Sequence, residues 1–244
     1  MSDHEKVKEI LKLKDQAPLE LDPGKTALII VDAQRYFARA EYPFAQTFER
    51  MVPGSTAGYF ERVDGVVMPN IQRLLVVFRS AQIPVIYVGA GSYTADGRDL
   101  PEWLKDFNQL STMVAGKRAI PQTSDESWSI DERIKPEPDE IVLNKTSSGP
   151  LNSTKLDQML HNMGISNLVV CGLTTAICVA QTARETADRG FRVVVASDAC
   201  TEMSEEMHVA ALDAFSLTFG RVRNTDELTE IFGQRTAASP NLGS

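Results

Sequence analysis

Histidine is nearly missing from this chain. Its 244 residues hold only His4, His161 and His208, so none falls between positions 4 and 161. Cysteine is as sparse: Cys171, Cys178 and Cys200 are an odd number and form no disulfide framework. A reducing compartment, the cytoplasm, is the simplest setting for such a chain. Basic residues are outnumbered, 25 Lys and Arg against 33 Asp and Glu, for a net charge of −8. That balance argues against nucleic acid or an anionic membrane as partner, since both call for basic patches. No apolar run approaches the roughly 20 residues that span a bilayer. The opening Met1-Ser2-Asp3-His4-Glu5-Lys6 leads into a charged amphipathic stretch in place of a signal-peptide core.

What is present reads as one α/β domain over 1–235, with an N-terminal helical arm over 1–20 and a flexible tail over 236–244. Ala27-Leu28-Ile29-Ile30-Val31 is a continuous apolar run ending at Asp32, the pattern of a strand buried on both faces of a parallel sheet. An irregular segment with Pro43, Pro53 and Gly54 is expected next. Met68, Ile71, Leu74, Leu75 and Phe78 then recur at helical spacing, and Pro84 to Val88 forms a second strand. Residues 91–139 are rich in Gly, Pro and charge and are expected to connect with little regular structure. Connections that long are usually functional. Further strands are expected at Glu140–Leu143, Leu168–Cys171, Val193–Ala196 and near Val222. Helices are expected around 156–163, with Ser153 or Thr154 as N-cap, and at 179–189, 204–217 and 225–232. The alternation predicts a three-layer, Rossmann-like fold: a mostly parallel six-stranded sheet with helices on both faces.

Ligands in such folds sit at the carboxyl ends of the strands. Three chemistry-bearing residues fall there: Asp32 at the end of the first strand, Lys145 just past the third, and Cys178 past the fourth at the start of a helix. Each alone has an ordinary reading, as a turn residue, a solvated charge or a small core residue. Together they suit nucleophilic catalysis, because a helix N-terminus and an ammonium both favour a thiolate and a carboxylate can shuttle the proton. His161 and His208 lie in helical patterns, so a Cys–His pair is not expected.

Thr26-Ala27-Leu28-Ile29-Ile30-Val31-Asp32-Ala33-Gln34 resembles the opening strand of the isochorismatase-like cysteine hydrolases. Gly172-Leu173-Thr174-Thr175-Ala176-Ile177-Cys178-Val179 resembles their nucleophile loop, and Lys145 with Asn152, Ser153 and Thr154 their lysine segment. The resemblance spans about residues 25–232. It implies Cys178 as nucleophile with Asp32 and Lys145, and a cis peptide between Leu173 and Thr174. It also implies an oxyanion hole made by the backbone N–H groups of Thr174 and Cys178, and a dimer or tetramer.

Within that superfamily, enzymes that cleave the isochorismate vinyl ether lack the thiol, so Cys178 speaks against that substrate. Nicotinamidases hold a metal through an Asp-x-His pair and a further His that this chain does not have. No metal and no cofactor are therefore expected. The remaining branch acts on small linear amides and ureides: N-carbamoyl compounds, biuret, ureidoacrylate, maleamate. Gly149-Pro150-Leu151 replaces the commoner Ser-Ala-Phe in the lysine segment. Gln34, Arg35, Tyr36, Phe37, Ser148, Asn152 and Thr175 are expected to bind substrate, with Ser147 as a further polar group. Arg35 would face a substrate carboxylate. Cys171 and Cys200 are read as structural. Competing readings are a maleamate- or nicotinamide-type amidase, a catalytically silent interaction module, and a thiol redox sensor.

Overall fold

A computed structural model of the chain describes residues 1–236; the expected tail lies, from 237 onward, outside the described residues. Helix α1 (Asp3–Asp15) is opened by a capping box in which Ser2 and Glu5 satisfy each other's backbone N–H. Six strands follow along the chain: β1 (Thr26–Val31), β2 (Val85–Ala90), β3 (Ile141–Lys145), β4 (Asn167–Leu173), β5 (Arg192–Thr201) and β6 (Arg221–Arg223). They form one sheet in the order β3-β2-β1-β4-β5-β6, every pair parallel. β1 lies at its centre, with all six residues buried, as its unbroken apolar run requires.

The strand order reverses between β1 and β4. A crevice opens there at the carboxyl ends of the strands, because the chain leaves the two strands in opposite directions. Helices cover both faces. α5 (Met68–Ser80) buries Met68, Ile71, Leu74, Leu75 and Phe78 and packs against α10 (Thr225–Thr236). α8 (Ala180–Asp188) packs beside α9 (Glu205–Thr218), with small residues Ala180, Thr182, Ala183 and Thr186 on its buried side. α1 lies on α9, tied by Lys8 Nζ to Asp213 at 2.7 Å. α7 (Leu156–Asn162) completes the crossover from β3 to β4. No described helix is long and apolar enough to cross a membrane.

The structure corrects four expectations. The segment after β1 is largely helical: α2 (Arg35–Ala38), α3 (Pro43–Met51), α4 (Ala57–Arg62) and a π turn at Val63–Val67 that runs into α5. Pro43, placed in that irregular segment, starts α3, where its missing N–H costs nothing. The 91–139 connection contains α6 (Glu102–Ala115), ended by Gly116 in the left-handed conformation at φ 79°. Its inward face mixes Leu104 with Asn108, Ser111 and Ala115, which hid the helical period. Lys145 is the last residue of β3 and not a residue beyond it, and β5 runs on through Ser197 and Asp198 to Thr201. Asp198 tolerates this strand position because its Oδ1 accepts bonds from the Thr225 N–H and hydroxyl, both at 2.7 Å.

Candidate active site

Asp32 stands directly after β1. Its N–H continues the ladder to the Val88 carbonyl at 2.7 Å, and its backbone then turns to φ 48°. Aspartate is one of the few residues that adopts this left-handed region readily. Across the switch point, β4 ends at Leu173, the Leu173–Thr174 peptide is cis, and a π turn over Thr175–Val179 leads into α8. That turn carries Cys178. Lys145 comes from β3, the edge strand two places from β1. Neighbouring strands lie about 4.8 Å apart, so only a long side chain spans that gap.

The Lys145 side chain does so. Its Nζ donates to Asp32 Oδ2 at 2.8 Å, to the Ser147 carbonyl at 3.0 Å and to Cys178 Sγ at 3.4 Å. Lys145 and Asp32 are fully buried and Cys178 is 7% exposed. Asp32 Oδ1 accepts no hydrogen bond among the described residues.

Burial raises the Asp32 carboxyl above its usual range, with the Lys145 charge pulling the other way. Burial also works against the Lys145 ammonium, but the Asp32 charge, aided by Cys178, outweighs it and its pKa is raised. The Cys178 thiol is pushed well up, first by burial and then by the Asp32 charge, against the opposing pull of Lys145. Lys145 does favour the thiolate, as expected, but its pull is the smaller one. The cation beside the sulfur is already matched by the carboxylate, so desolvation outweighs it.

Cys178 opens into a pocket of about 360 Å³. Its polar lining is Lys145, Ser147, Ser148, Thr174 and Glu202 beside Cys178. The rest is apolar: Phe37, Phe44, Phe48, Ala90, Trp103, Leu104, Phe107, Ile120, Ile177 and Met203. Three of the four rings of Phe37, Phe44, Phe48 and Phe107 surround Phe44, with centroids 4.8, 5.4 and 6.2 Å away.

Of the residues expected to bind substrate, Phe37 and Ser148 line this pocket. The others have different work. Gln34 is buried and clamps β2 to the segment behind it, donating to the Ala90 and Trp128 carbonyls and accepting from the Ala90 N–H at 2.7 Å. The Tyr36 hydroxyl donates to the Ala90 carbonyl at 2.9 Å. Arg35 turns to Glu126 and Glu132 and does not line this pocket. Asn152 donates to Glu185 Oε1 at 2.6 Å, and the Thr175 hydroxyl meets His208 Nδ1 at 2.8 Å. Ser147 lines the pocket, but its hydroxyl is committed to the Gly149 carbonyl and Ser153.

Glu202 and the aromatic wall were missed. Phe44 and Phe48 are four apart and Leu104 and Phe107 three apart, the helical spacing that would have marked them as one face each. Glu202, just after β5, carried no local signal. No group of three or more His, Cys, Asp or Glu suited to a metal ion occurs among the described residues.

Residues 26–227 match the isochorismatase domain model. The chain belongs to the isochorismatase family. It is 31% identical over 230 residues to the ureidoacrylate amidohydrolase RutB of Methylobacterium radiotolerans, covering 88% of this chain and 83% of that protein. Among solved structures, a cysteine hydrolase from Pseudomonas syringae pv. phaseolicola superposes with TM-score 0.74 at 23% identity, over 89% of this chain and 96% of the other. The N-carbamoylsarcosine amidase of Thermoplasma acidophilum gives TM-score 0.60 at 24% identity, over 83% and 97%. This isochorismatase-family member thus shares its fold with those two solved structures.

Proposed function

We propose that the chain is an amidohydrolase that cleaves the C–N bond of a small amide or ureide through a thioester on Cys178. The observation that carries this reading is the position of Lys145 Nζ, 2.8 Å from Asp32 and 3.4 Å from Cys178 Sγ in a buried site. The family, and the amidohydrolase names of its relatives, support the reaction class.

In the first step Asp32 takes the Cys178 proton and Sγ attacks the amide carbonyl carbon. Asp32 Oδ1 offers the unfilled acceptor position for that proton. Asp32 then delivers the proton to the departing nitrogen as the C–N bond breaks, leaving an acyl-enzyme. Water, deprotonated by Asp32, attacks the thioester and releases acid and thiol. Lys145 holds Asp32 in place and balances the charge as the proton moves between sulfur and carboxylate. A thiol raised by burial suits this cycle, because the thiolate then forms only with a base and a carbonyl at hand. The N–H groups of Thr174 and Cys178 hold the developing oxyanion, as the turn after the Leu173–Thr174 peptide brings them to the thiol. Losing one such donor typically costs about 10²–10³ in rate.

The test is intact-mass spectrometry on enzyme quenched during turnover of ureidoacrylate and a panel of simple amides, with peptide mapping of any adduct. An acyl mass on Cys178, absent in a folded and inactive Cys178→Ala variant, is the expected result. A Cys178→Ala variant that hydrolyses the best substrate at near wild-type rate ends the thiol mechanism.

A further inference from the structure

Among the described residues, the charged side chains lining the pocket are Lys145 and Glu202. Lys145 is matched by Asp32 at 2.8 Å. Glu202 is not matched. It is 4% exposed, its Oε2 accepts from the Ala176 N–H and its Oε1 from the Met203 N–H, both at 2.9 Å, and no Lys, Arg or His of the described residues lies in ion-pair range. The pocket thus offers a carboxylate, that of Glu202, with no cation of its own beside it. Arg35, the cation expected to meet a substrate carboxylate, is turned away to Glu126 and Glu132. The rest of the lining is largely apolar, with Phe44 and Phe48 from α3, Trp103 and Phe107 from α6, and Ile177 and Met203 at the strand ends. Trp103 and Ile177 remain about half exposed at 48% and 46%, which places apolar surface at the mouth.

We propose that the substrate is an uncharged amide bearing an apolar group of ring or longer-alkyl size, and that Glu202 excludes amides bearing a carboxylate. The inference rests on the thiol amidohydrolase reading and narrows it away from anionic ureides. Each carboxylate oxygen of Glu202 keeps a free lone pair, so it accepts N–H donors of a neutral amide while repelling an anion. The aromatic wall replaces water around the apolar group.

Matched pairs test it: propanamide against 3-amino-3-oxopropanoate and butanamide against 4-amino-4-oxobutanoate, whose carboxylates stay near the reacting carbonyl beside the Thr174–Cys178 turn that Glu202 is bonded to, and hexanamide against propanamide, with ureidoacrylate alongside. In wild type kcat/KM should favour each neutral member over its carboxylate mate by about 10–100-fold, the scale of two like charges within a few ångströms of each other in a partly screened site. Hexanamide should exceed propanamide by about 50-fold for its three extra methylenes. Glu202→Gln should shrink the neutral-to-anion ratio at least about tenfold, which a merely structural role, lowering both alike, would not do. Phe107→Ala should shrink the hexanamide-to-propanamide ratio. The wild-type ratios stand whether or not either variant folds. Carboxylate mates or ureidoacrylate turning over best through a Cys178 thioester would overturn this inference and leave the amidohydrolase reading intact. Ratios unchanged in a folded Glu202→Gln variant would overturn the role of Glu202. If no member is hydrolysed and none acylates Cys178, the underlying reading falls, and this one with it.

Discussion

Lys145 Nζ donates to Asp32 Oδ2 at 2.8 Å, and both side chains are wholly shielded from solvent although 113 positions separate them. Two charges so placed are each costly to desolvate. They are tolerated because each neutralises the other and because Lys145 spends its remaining donors on the Ser147 carbonyl and Cys178. The pair thus joins the ends of β1 and β3 and also sets the electrostatics of the thiol.

Lys145→Met alone should lower unfolding stability by about 3–5 kcal/mol, since it leaves the Asp32 carboxylate buried without a partner. Asp32→Asn, which strands the ammonium, should cost a similar amount. The double variant should be clearly more stable than the sum of the singles implies, because no isolated charge remains. Urea unfolding of all four proteins measures the coupling. Strict additivity would show that the pair is not coupled in the folded state.

Gly172 lies in β4 beside the centre of the sheet at φ 120°, and a Cβ built there would come within 2.0 Å of the Val31 carbonyl oxygen. No flexible side-chain end is available to yield, since the clash is with the backbone that positions Asp32. Gly172→Ala should therefore lose more than about 3 kcal/mol of stability, or fail to accumulate as folded protein. Gly65→Ala, where nothing lies within 4 Å, should fold normally. Thermal unfolding followed by circular dichroism compares the two.

The sheet, the two helical layers and the Asp32–Lys145–Cys178 set were legible because they rest on strong local signals. β1 and β4 are unbroken apolar runs, α5 has a clear helical period, Asp32 and Lys145 fall at the ends of β1 and β3, and Cys178 in the turn after β4. The pocket walls were not legible, for a physical reason. Phe44, Phe107 and Glu202 come from three separate segments, and their convergence depends on how α3 and α6 pack, which short-range pattern does not encode. The polar residues after Asp32 were misassigned because proximity in sequence stood in for direction. Gln34 and Arg35 directly follow the strand end but point into the scaffold and toward acidic partners.

Activity should survive exhaustive chelation. With no histidine between His4 and His161, the pair of histidines that would complete a metal site near Asp32 is missing from that stretch. Turnover is measured after dialysis against EDTA and after addition of zinc, manganese or magnesium. Loss on chelation with recovery on one ion would reassign the reaction.

The thiol and its two neighbours predict opposite pH shifts. Cys178 is raised by burial and then by the Asp32 charge, while Lys145 lowers it. Alkylation by iodoacetamide, which reports thiolate, should thus be slow at neutral pH and rise only above the range of a free thiol, about 8.5. Asp32→Asn removes a raising charge and should move the alkylation profile to lower pH. Lys145→Met removes the lowering charge and should move it to higher pH. Asp32 is itself raised by burial, so kcat/KM in wild type should fall on the acid side at a pH above the usual carboxylate value of about 4, as the base takes up its proton. Peptide mapping separates the Cys178 adduct from the fully buried Cys171 and Cys200. If Asp32→Asn leaves the profile in place, or moves it up, the carboxylate does not face the thiol charge and its part in the proton transfer is lost.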